Sequence, residues 1–305
     1  MISRRTFLRL CGVTFASAAL PSFPSNTAST PVKFSGRVLK AQTSIYGMPY
    51  HNATVVQSVQ PDTVLSLTES VAGWFKAEQG YVQAHDVQPM LPYKRPEVFT
   101  AMPADGPFWA EVIAPVTVTR TWPLASAPLI ERPGYGAVMY IVDVQVDDAG
   151  VVWYRDDAHG TGSAWVQALH LRRLDPDIDL APLAPGAADK RLRIDTARCR
   201  LTAAIGDETV LVAPISPDAE AVIEAARFGV AARLPTLALL DKPGLPWVVL
   251  AVAPNGGEGV VLHGAYWHNQ FGEPYDDGGI ALAPAVARWL YRWVEVGRTH
   301  VQIVG

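Results

Sequence analysis

The chain has 305 residues, of which 49% are hydrophobic and 18% charged, so it can bury a core and is not intrinsically disordered. At roughly 100–200 residues per domain, this length predicts two or three domains. Its 25 prolines and 24 glycines favour many short strands over long helices. The net charge of −4 argues against a general nucleic-acid binder. The two cysteines, Cys11 and Cys199, exclude a disulfide framework and a cysteine-based zinc site.

The N-terminus carries two adjacent arginines, Arg4 and Arg5, before a short apolar run from Leu10 to Leu20. Residues 3–9, SRRTFLR, resemble a twin-arginine export signal, which predicts a leader over residues 1–30. The apolar run is too short to span a bilayer of ~30 Å at about 1.5 Å per residue. We therefore expect export across the cytoplasmic membrane to the periplasm, cell wall or exterior, with no transmembrane span after the leader.

Residues 31–175 contain an internal repeat. In the first copy, GWFK (73–76) is followed by GYVQAHDV (80–87); in the second, VWYR (152–155) is followed by AWVQALHL (164–171). Alternating apolar residues before Trp74 and Trp153 predict half-buried strands. The pattern resembles the bacterial SH3-like domain, a small barrel, and predicts such domains over residues 31–92 and 105–174. Core packing of the two tryptophans is one interpretation, and surface recognition of peptide or glycan is the other.

A Pro-rich stretch, residues 175–188, predicts a linker to a C-terminal domain over residues 189–305. The domain begins with the alternating strand pattern of residues 191–195. Cys199 is expected to be a strand residue with no functional role. Ser216, Pro217 and Gly229 have the capping pattern of a short helix over residues 218–228.

The strongest motif is HGAYWHNQFGEPY (263–275), followed by DDGGIAL (276–282) and APAVARWL (283–290). It resembles the L,D-transpeptidase (YkuD-type) catalytic domain, whose pattern is HGTYWHNxFGxP, SHGCVNL and SPxDAxWL. The resemblance implies a mainly β protein, with two SH3-like barrels followed by an L,D-transpeptidase-like β-sandwich domain with one or two short helices. It also implies an exported protein that acts on peptidoglycan.

The resemblance further implies a site from which the nucleophile is missing. The family attacks a stem-peptide carbonyl with a cysteine thiolate, assisted by an imidazole and backbone donors. His263 matches the first family histidine, Asp277 stands at the second, Gly278 matches the glycine, and Gly279 stands at the cysteine. Glycine has no side chain that could attack, which predicts inactivity. From motif positions alone, Gly279→Cys is expected to give a weakly reactive thiol, and Gly279→Cys with Asp277→His is expected to react faster with a carbapenem than Gly279→Cys alone.

Another family motif, TPxGxF, is also degraded here, because the matching residues 233–238 read RLPTLA and lack the glycine. Ala283 replaces the family's helix-capping Ser or Thr, a loss that costs about 1 kcal/mol. Tyr266, Trp267 and His268 are candidate substrate-binding residues, with a structural role as the alternative.

Three functions stay open on the sequence. The first is an inactive wall protein that binds peptidoglycan stem peptide or glycan, or a cell-wall enzyme, without a cofactor. The second is an active enzyme, a peptidoglycan transpeptidase or transferase or a metal-dependent enzyme, that uses His263, Asp276 or Asp277. The third is a structural interaction protein without a wall ligand. The spacing of these side chains is diagnostic of no metal site.

Overall fold

The computed structural model describes residues 34–157, 164–218, 227–239, 242–254, 259–276 and 278–305. The twin-arginine leader and the centre of the predicted helix, residues 219–226, lie outside the described residues. The chain divides into two compact units, one ending at Pro92 and the other beginning at Tyr93. In the described residues, no helix has the length and apolarity needed to cross a membrane. Strands dominate throughout, which confirms the mainly β fold class.

The first unit forms a seven-stranded antiparallel sheet with the order β3-β2-β6-β5-β4-β1-β7. A single turn of 3₁₀ helix, Ala84–Asp86, precedes the last strand. Its core consists of apolar side chains that alternate along the strands, including Val38, Leu67, Phe75 and Val82. The strands are β1 (Phe34–Val38), β2 (Thr43–Tyr46), β3 (Val55–Val59), β4 (Val64–Val71), β5 (Trp74–Ala77), β6 (Gly80–Gln83) and β7 (Val87–Met90).

The second unit begins with a five-stranded antiparallel sheet of order β11-β10-β9-β8-β12. This order repeats that of β6-β5-β4-β1-β7, and a 3₁₀ turn, Ala168–His170, again precedes the last strand. Trp74 and Trp153 are both buried, as the core-packing interpretation requires. The strands are β8 (Phe108–Val112), β9 (Val138–Val146), β10 (Val152–Asp156), β11 (Ala164–Gln167) and β12 (Leu171–Arg173).

The remainder of the second unit is a nine-stranded mixed sheet of order β15-β14-β13-β21-β17-β18-β19-β20-β16. One α-helix, α1 (Pro284–Trp293), is described, with Ala283 as an N-cap that makes no side-chain capping bond. The strands are β13 (Lys190–Asp195), β14 (Arg200–Ile205), β15 (Glu208–Pro214), β16 (Ser216–Pro217), β17 (Arg227–Leu239), β18 (Lys242–Val252), β19 (Gly259–Gly264), β20 (Ile280–Leu282) and β21 (His300–Val304).

The ends of the helix predicted over residues 218–228 are wrong. Ser216 and Pro217 form the short strand β16, which pairs with β20, and Phe228 and Gly229 lie in β17. Local capping signals are weaker than long-range strand pairing, and here the residues on both sides of the segment form paired strands.

Residues 175–188, which the sequence predicts as a linker, pack against the C-terminal part of the second unit. The buried Asp179 carboxylate accepts hydrogen bonds from Arg172, at 2.6 Å, and from Arg288 of α1. The Leu183 amide donates to the Arg292 carbonyl oxygen at 2.8 Å. The β17–β18 hairpin also approaches β9, where a Cβ on Gly244 would lie 2.9 Å from the Val138 carbonyl oxygen. The five-stranded sheet and the C-terminal sheet are thus joined by several contacts.

Candidate functional site: the edge formed by β19 and β20

Two parallel strands carry the motif that the sequence singles out. His263 lies near the end of β19 and faces Ala281 of β20 in the strand register, while Gly279 immediately precedes β20. On its other side β20 pairs with β16, so that Ser216 faces Ala281. The loop between β19 and β20 therefore begins and ends on neighbouring strands, because the parallel register brings the two halves of the motif together.

Gly279 occupies a position with no room for a side chain. A Cβ at Gly279 would lie 2.6 Å from the Val261 carbonyl oxygen of β19, closer than real Cβ atoms come to a neighbouring atom. The Gly279 carbonyl oxygen in turn accepts a hydrogen bond from the Asp218 amide at 2.8 Å. Backbone thus contacts this residue on two sides, and a side chain at position 279 would require the Val261 carbonyl group to shift.

The His263 imidazole is fully buried. Its Nδ1 lies 3.3 Å from the Gly264 carbonyl oxygen, and its ring stacks on Trp267 with a centroid distance of 5.9 Å and an interplanar angle of 25°. A buried imidazole held between backbone and an aromatic ring is well positioned to stabilise packing. To act as a base it would need a proton donor from the substrate or from position 279.

The rings of the loop form a continuous aromatic row. His268 stacks on Tyr275 at 4.2 Å with an interplanar angle of 15°, and it lies 4.8 Å from the Phe271 ring. The His268 Nδ1 accepts a hydrogen bond from the Gln270 amide at 3.1 Å, which fixes the orientation of the imidazole. Trp267 continues the row at 6.2 Å from His268. Phe271 and Tyr275 belong to the motif, but their spacing in the sequence indicates no role for them.

A cation lies over the far end of this row. The Lys242 ammonium is 5.2 Å from the centroid of the Trp267 ring, within the range of a cation–π contact. Lys242 opens β18 and is distant in sequence from the motif, so only the tertiary structure reveals it. The row therefore combines partly exposed aromatic faces with one positive charge.

Tyr266 has a structural position. Its ring is buried in a core cluster with residues of the five-stranded sheet, including Phe108, Met139 and Tyr154, and its hydroxyl donates to the Pro243 carbonyl oxygen. Trp267 packs against the edge of the same cluster. These contacts favour the structural alternative for Tyr266 over contact with a substrate.

The acidic end of the motif is exposed. Asp276 and Gly278 are exposed, and Gly278 has a left-handed backbone, with φ of 68°. Asp277, at the family's second histidine position, lies outside the described residues. Among the described residues, no three His, Cys, Asp or Glu side chains come together in a way that could hold a metal ion.

Cys199 lies in the turn between β13 and β14, so it is not a strand residue as predicted. It is buried, and its Sγ lies 3.5 Å from the Thr196 carbonyl oxygen. Burial raises the pKa of the Cys199 thiol, and the carboxylates of Glu273 and Asp195 raise it further. Since the thiolate is the nucleophilic form, these surroundings make Cys199 a poor substitute for the missing cysteine.

The C-terminal part of the chain is similar to L,D-transpeptidase catalytic domains. Residues 189–303 match the family model of YkuD, the L,D-transpeptidase catalytic domain, which confirms the resemblance predicted from the motif. No curated protein gives a significant match.

Solved structures of the same class are similar to the chain at low identity. They include an L,D-transpeptidase from Xylanimonas cellulosilytica, with 16% identity and a TM-score of 0.29 over 40% of this chain and 64% of that one. An L,D-transpeptidase from Stackebrandtia nassauensis has 19% identity and a TM-score of 0.32 over 42% of this chain and 60% of that one. The catalytic domain of the E. faecium L,D-transpeptidase has 19% identity and a TM-score of 0.32 over 39% of this chain and 99% of that one. The chain thus spans less than two thirds of the length of the first two proteins.

Proposed function

We propose that the C-terminal domain is a catalytically inactive L,D-transpeptidase-like domain that binds peptidoglycan. The observation that carries the proposal is the closed position at Gly279. The family chemistry begins with attack by a thiolate on a carbonyl carbon. Here residue 279 has no side chain, and a Cβ would lie 2.6 Å from the Val261 carbonyl oxygen. The acyl-enzyme therefore has no atom on which to form.

The aromatic row supports a retained binding role. Trp267, Phe271 and Tyr275 are partly exposed, and stacking with His268 fixes the orientation of the Tyr275 ring. Fixed aromatic faces bind the apolar faces of sugar rings and peptide side chains at low entropic cost. Lys242 adds a positive charge beside Trp267, which suits a ligand that carries carboxylates.

For the whole chain, we propose export by the twin-arginine route and association with the cell wall. In this proposal residues 31–92 and 105–174 are SH3-like domains that serve as a binding platform, and residues 189–305 bind a stem peptide, a glycan strand or a wall-modifying enzyme. The repeated strand order supports one ancestral module in both copies.

Two measurements test the proposal. Intact-protein mass after incubation with a carbapenem should show no adduct, and an adduct would contradict inactivity. Purified peptidoglycan should retain the wild type, and Tyr275→Ala should weaken retention by about tenfold because one stacking ring is lost. Tyr93→Ala, which removes an exposed tyrosine ring outside the three proposed binding regions, is the matched control. Absence of retention for the wild type would contradict the binding role.

A further inference from the structure

Each of the two repeated modules carries an exposed apolar hairpin tip. Tip 1 is residues 47–56, which comprise the turn after β2 and the first two residues of β3, and tip 2 is residues 121–130, in the segment between β8 and β9. Four large apolar side chains are exposed in each: Met48, Tyr50, Val55 and Val56 in tip 1, and Trp122, Leu124, Leu129 and Ile130 in tip 2. About half of the exposed large hydrophobic side chains of the described residues lie in these two tips.

The two tips have the same backbone structure. In tip 1, the amides of Gly47, Tyr50 and Ala53 donate to the carbonyl oxygens of Thr54, Met48 and Tyr50. In tip 2, the amides of Thr121, Leu124 and Ala127 donate to the carbonyl oxygens of Pro128, Trp122 and Leu124, so each bond stands at the same offset from its counterpart. Next to the tips, Tyr46 bridges to Tyr81 and Arg120 bridges to Trp165, which are also equivalent.

This equivalence places apolar residues at matching positions. Met48 corresponds to Trp122, Tyr50 to Leu124, and the Val55–Val56 pair to Leu129 and Ile130. Surface loops are ordinarily polar and vary freely, and apolar patches on a surface mark sites of interaction. Four exposed apolar positions in both copies therefore indicate a common apolar partner.

The character of the substitutions identifies the kind of partner. Exchange of Met for Trp, and of Tyr for Leu, changes volume and shape but keeps the side chain apolar. A shaped protein pocket would distinguish these side chains, whereas the interior of a lipid layer distinguishes only polarity. Trp122 and Tyr50 are also the residue types that favour the bilayer interface.

The chemistry of the tips fits a bilayer in two further respects. Neither tip contains Asp, Glu, Lys or Arg, and the internal bonds of each tip satisfy part of its backbone before it leaves water. Tip 2 is flanked by Arg120 and the exposed Arg132, with Glu131 as the only acid beside it. Arg120 also closes the tip by donating from Nη1 to the Ala127 carbonyl oxygen at 2.6 Å. Basic residues beside an apolar tip favour anionic headgroups.

We propose that each hairpin tip is a lipid-contacting element that attaches the protein peripherally to a bilayer, and that the arginines beside tip 2 favour a bilayer that contains anionic lipid. This function is separate from the site at β19 and β20, because no residue of either tip belongs to that site. Vesicle binding therefore tests this proposal, whereas carbapenem adducts and the Tyr275→Ala variant test the proposed function of the C-terminal domain.

The test is co-sedimentation of the full chain with vesicles of phosphatidylcholine, with and without phosphatidylglycerol. We expect binding to the anionic vesicles, and about a tenfold loss for Met48→Ser/Tyr50→Ser and for Trp122→Ser/Leu124→Ser, because each change removes two apolar side chains. The control is Ile178→Ser/Val296→Ser, which removes two exposed apolar side chains outside the tips; Ile178 is 66% exposed and Trp122 is 68% exposed. Unchanged circular dichroism shows that the variants are folded.

Three results would overturn the proposal. The first is a wild type that binds neither vesicle, or tip variants that bind as the wild type does. The second is a wild-type dimer in sedimentation velocity that the tip changes dissociate while vesicle binding is absent, which would assign the tips to contact between copies. The third is that the tip variants lose binding to purified peptidoglycan but bind vesicles as the wild type does, which would assign the tips to contact with the wall polymer.

Discussion

Gly279→Ala tests whether the nucleophile position is closed. The added Cβ would lie 2.6 Å from the Val261 carbonyl oxygen, so β19 and β20 must move apart to admit it. Overpacking of this kind costs about 1–3 kcal/mol. The matched control is Gly229→Ala, because Gly229 also lies in the C-terminal sheet and has open space within 4 Å of a Cβ. There the substitution should be neutral or stabilise by up to about 1 kcal/mol, since it restricts the unfolded chain.

Tryptophan fluorescence during thermal unfolding is a suitable assay. All of the nine tryptophans except Trp74 lie in the unit that contains the site, so the signal reports mainly on that unit. In a unit of this size, each kcal/mol shifts the midpoint by roughly 2–4 °C. We expect Gly279→Ala to unfold several degrees below Gly229→Ala. Equal midpoints would refute the reasoning, because they would show that the backbone admits a side chain at position 279.

Three further predictions concern a buried carboxylate, a half-buried histidine and a buried thiol. Asp179→Asn should destabilise the second unit by about 1–3 kcal/mol in urea unfolding, because it removes the charge of a buried carboxylate that pairs with the partly exposed Arg172 and Arg288, whereas Asp105→Asn, which breaks an exposed pair, should have a much smaller effect. Burial lowers the pKa of His170. The neutral imidazole therefore stabilises the folded protein fully above its ordinary pKa of 6.5, and this stabilisation is lost as the pH falls through the lowered pKa. His170→Gln should flatten the pH dependence of the urea midpoint below pH 6.5. In a Cys11→Ser background, Cys199 should resist a thiol-specific reagent at pH 8 until urea unfolds the protein, because burial raises its pKa, and rapid native labelling would contradict this.

The sequence predicted the parts of the fold that depend on local pattern. Alternation and turn residues predicted the repeated strands around Trp74 and Trp153, and the motif letters predicted the domain class and α1. The sequence pattern did not predict the apolar hairpin tips, because their apolar residues follow neither the period of a strand nor that of a helix. Only the shared hydrogen-bond pattern aligns Met48 with Trp122.

The long-range contacts were beyond prediction, and they change what the motif implies. Motif positions predict that Gly279→Cys with Asp277→His would react faster with a carbapenem than Gly279→Cys alone. The Val261 carbonyl oxygen opposes this, because a Cβ at position 279 would lie 2.6 Å from it. We therefore expect Gly279→Cys to be as destabilised as Gly279→Ala and to gain no carbapenem adduct in intact-mass measurements.

The first half of the motif is explained by packing alone. A Cβ at Gly264 would lie 2.9 Å from Pro246 Cγ and 3.1 Å from the Pro246 carbonyl oxygen, so the fold requires glycine there whether or not the domain is catalytic. Tyr266 belongs to a core shared with the five-stranded sheet, and His263 is buried against Trp267. An inactive protein with this fold would need the same residues, so their presence is no evidence for catalysis. The proposed inactivity rests instead on Gly279, where the family chemistry requires a side chain and a Cβ would lie 2.6 Å from the Val261 carbonyl oxygen.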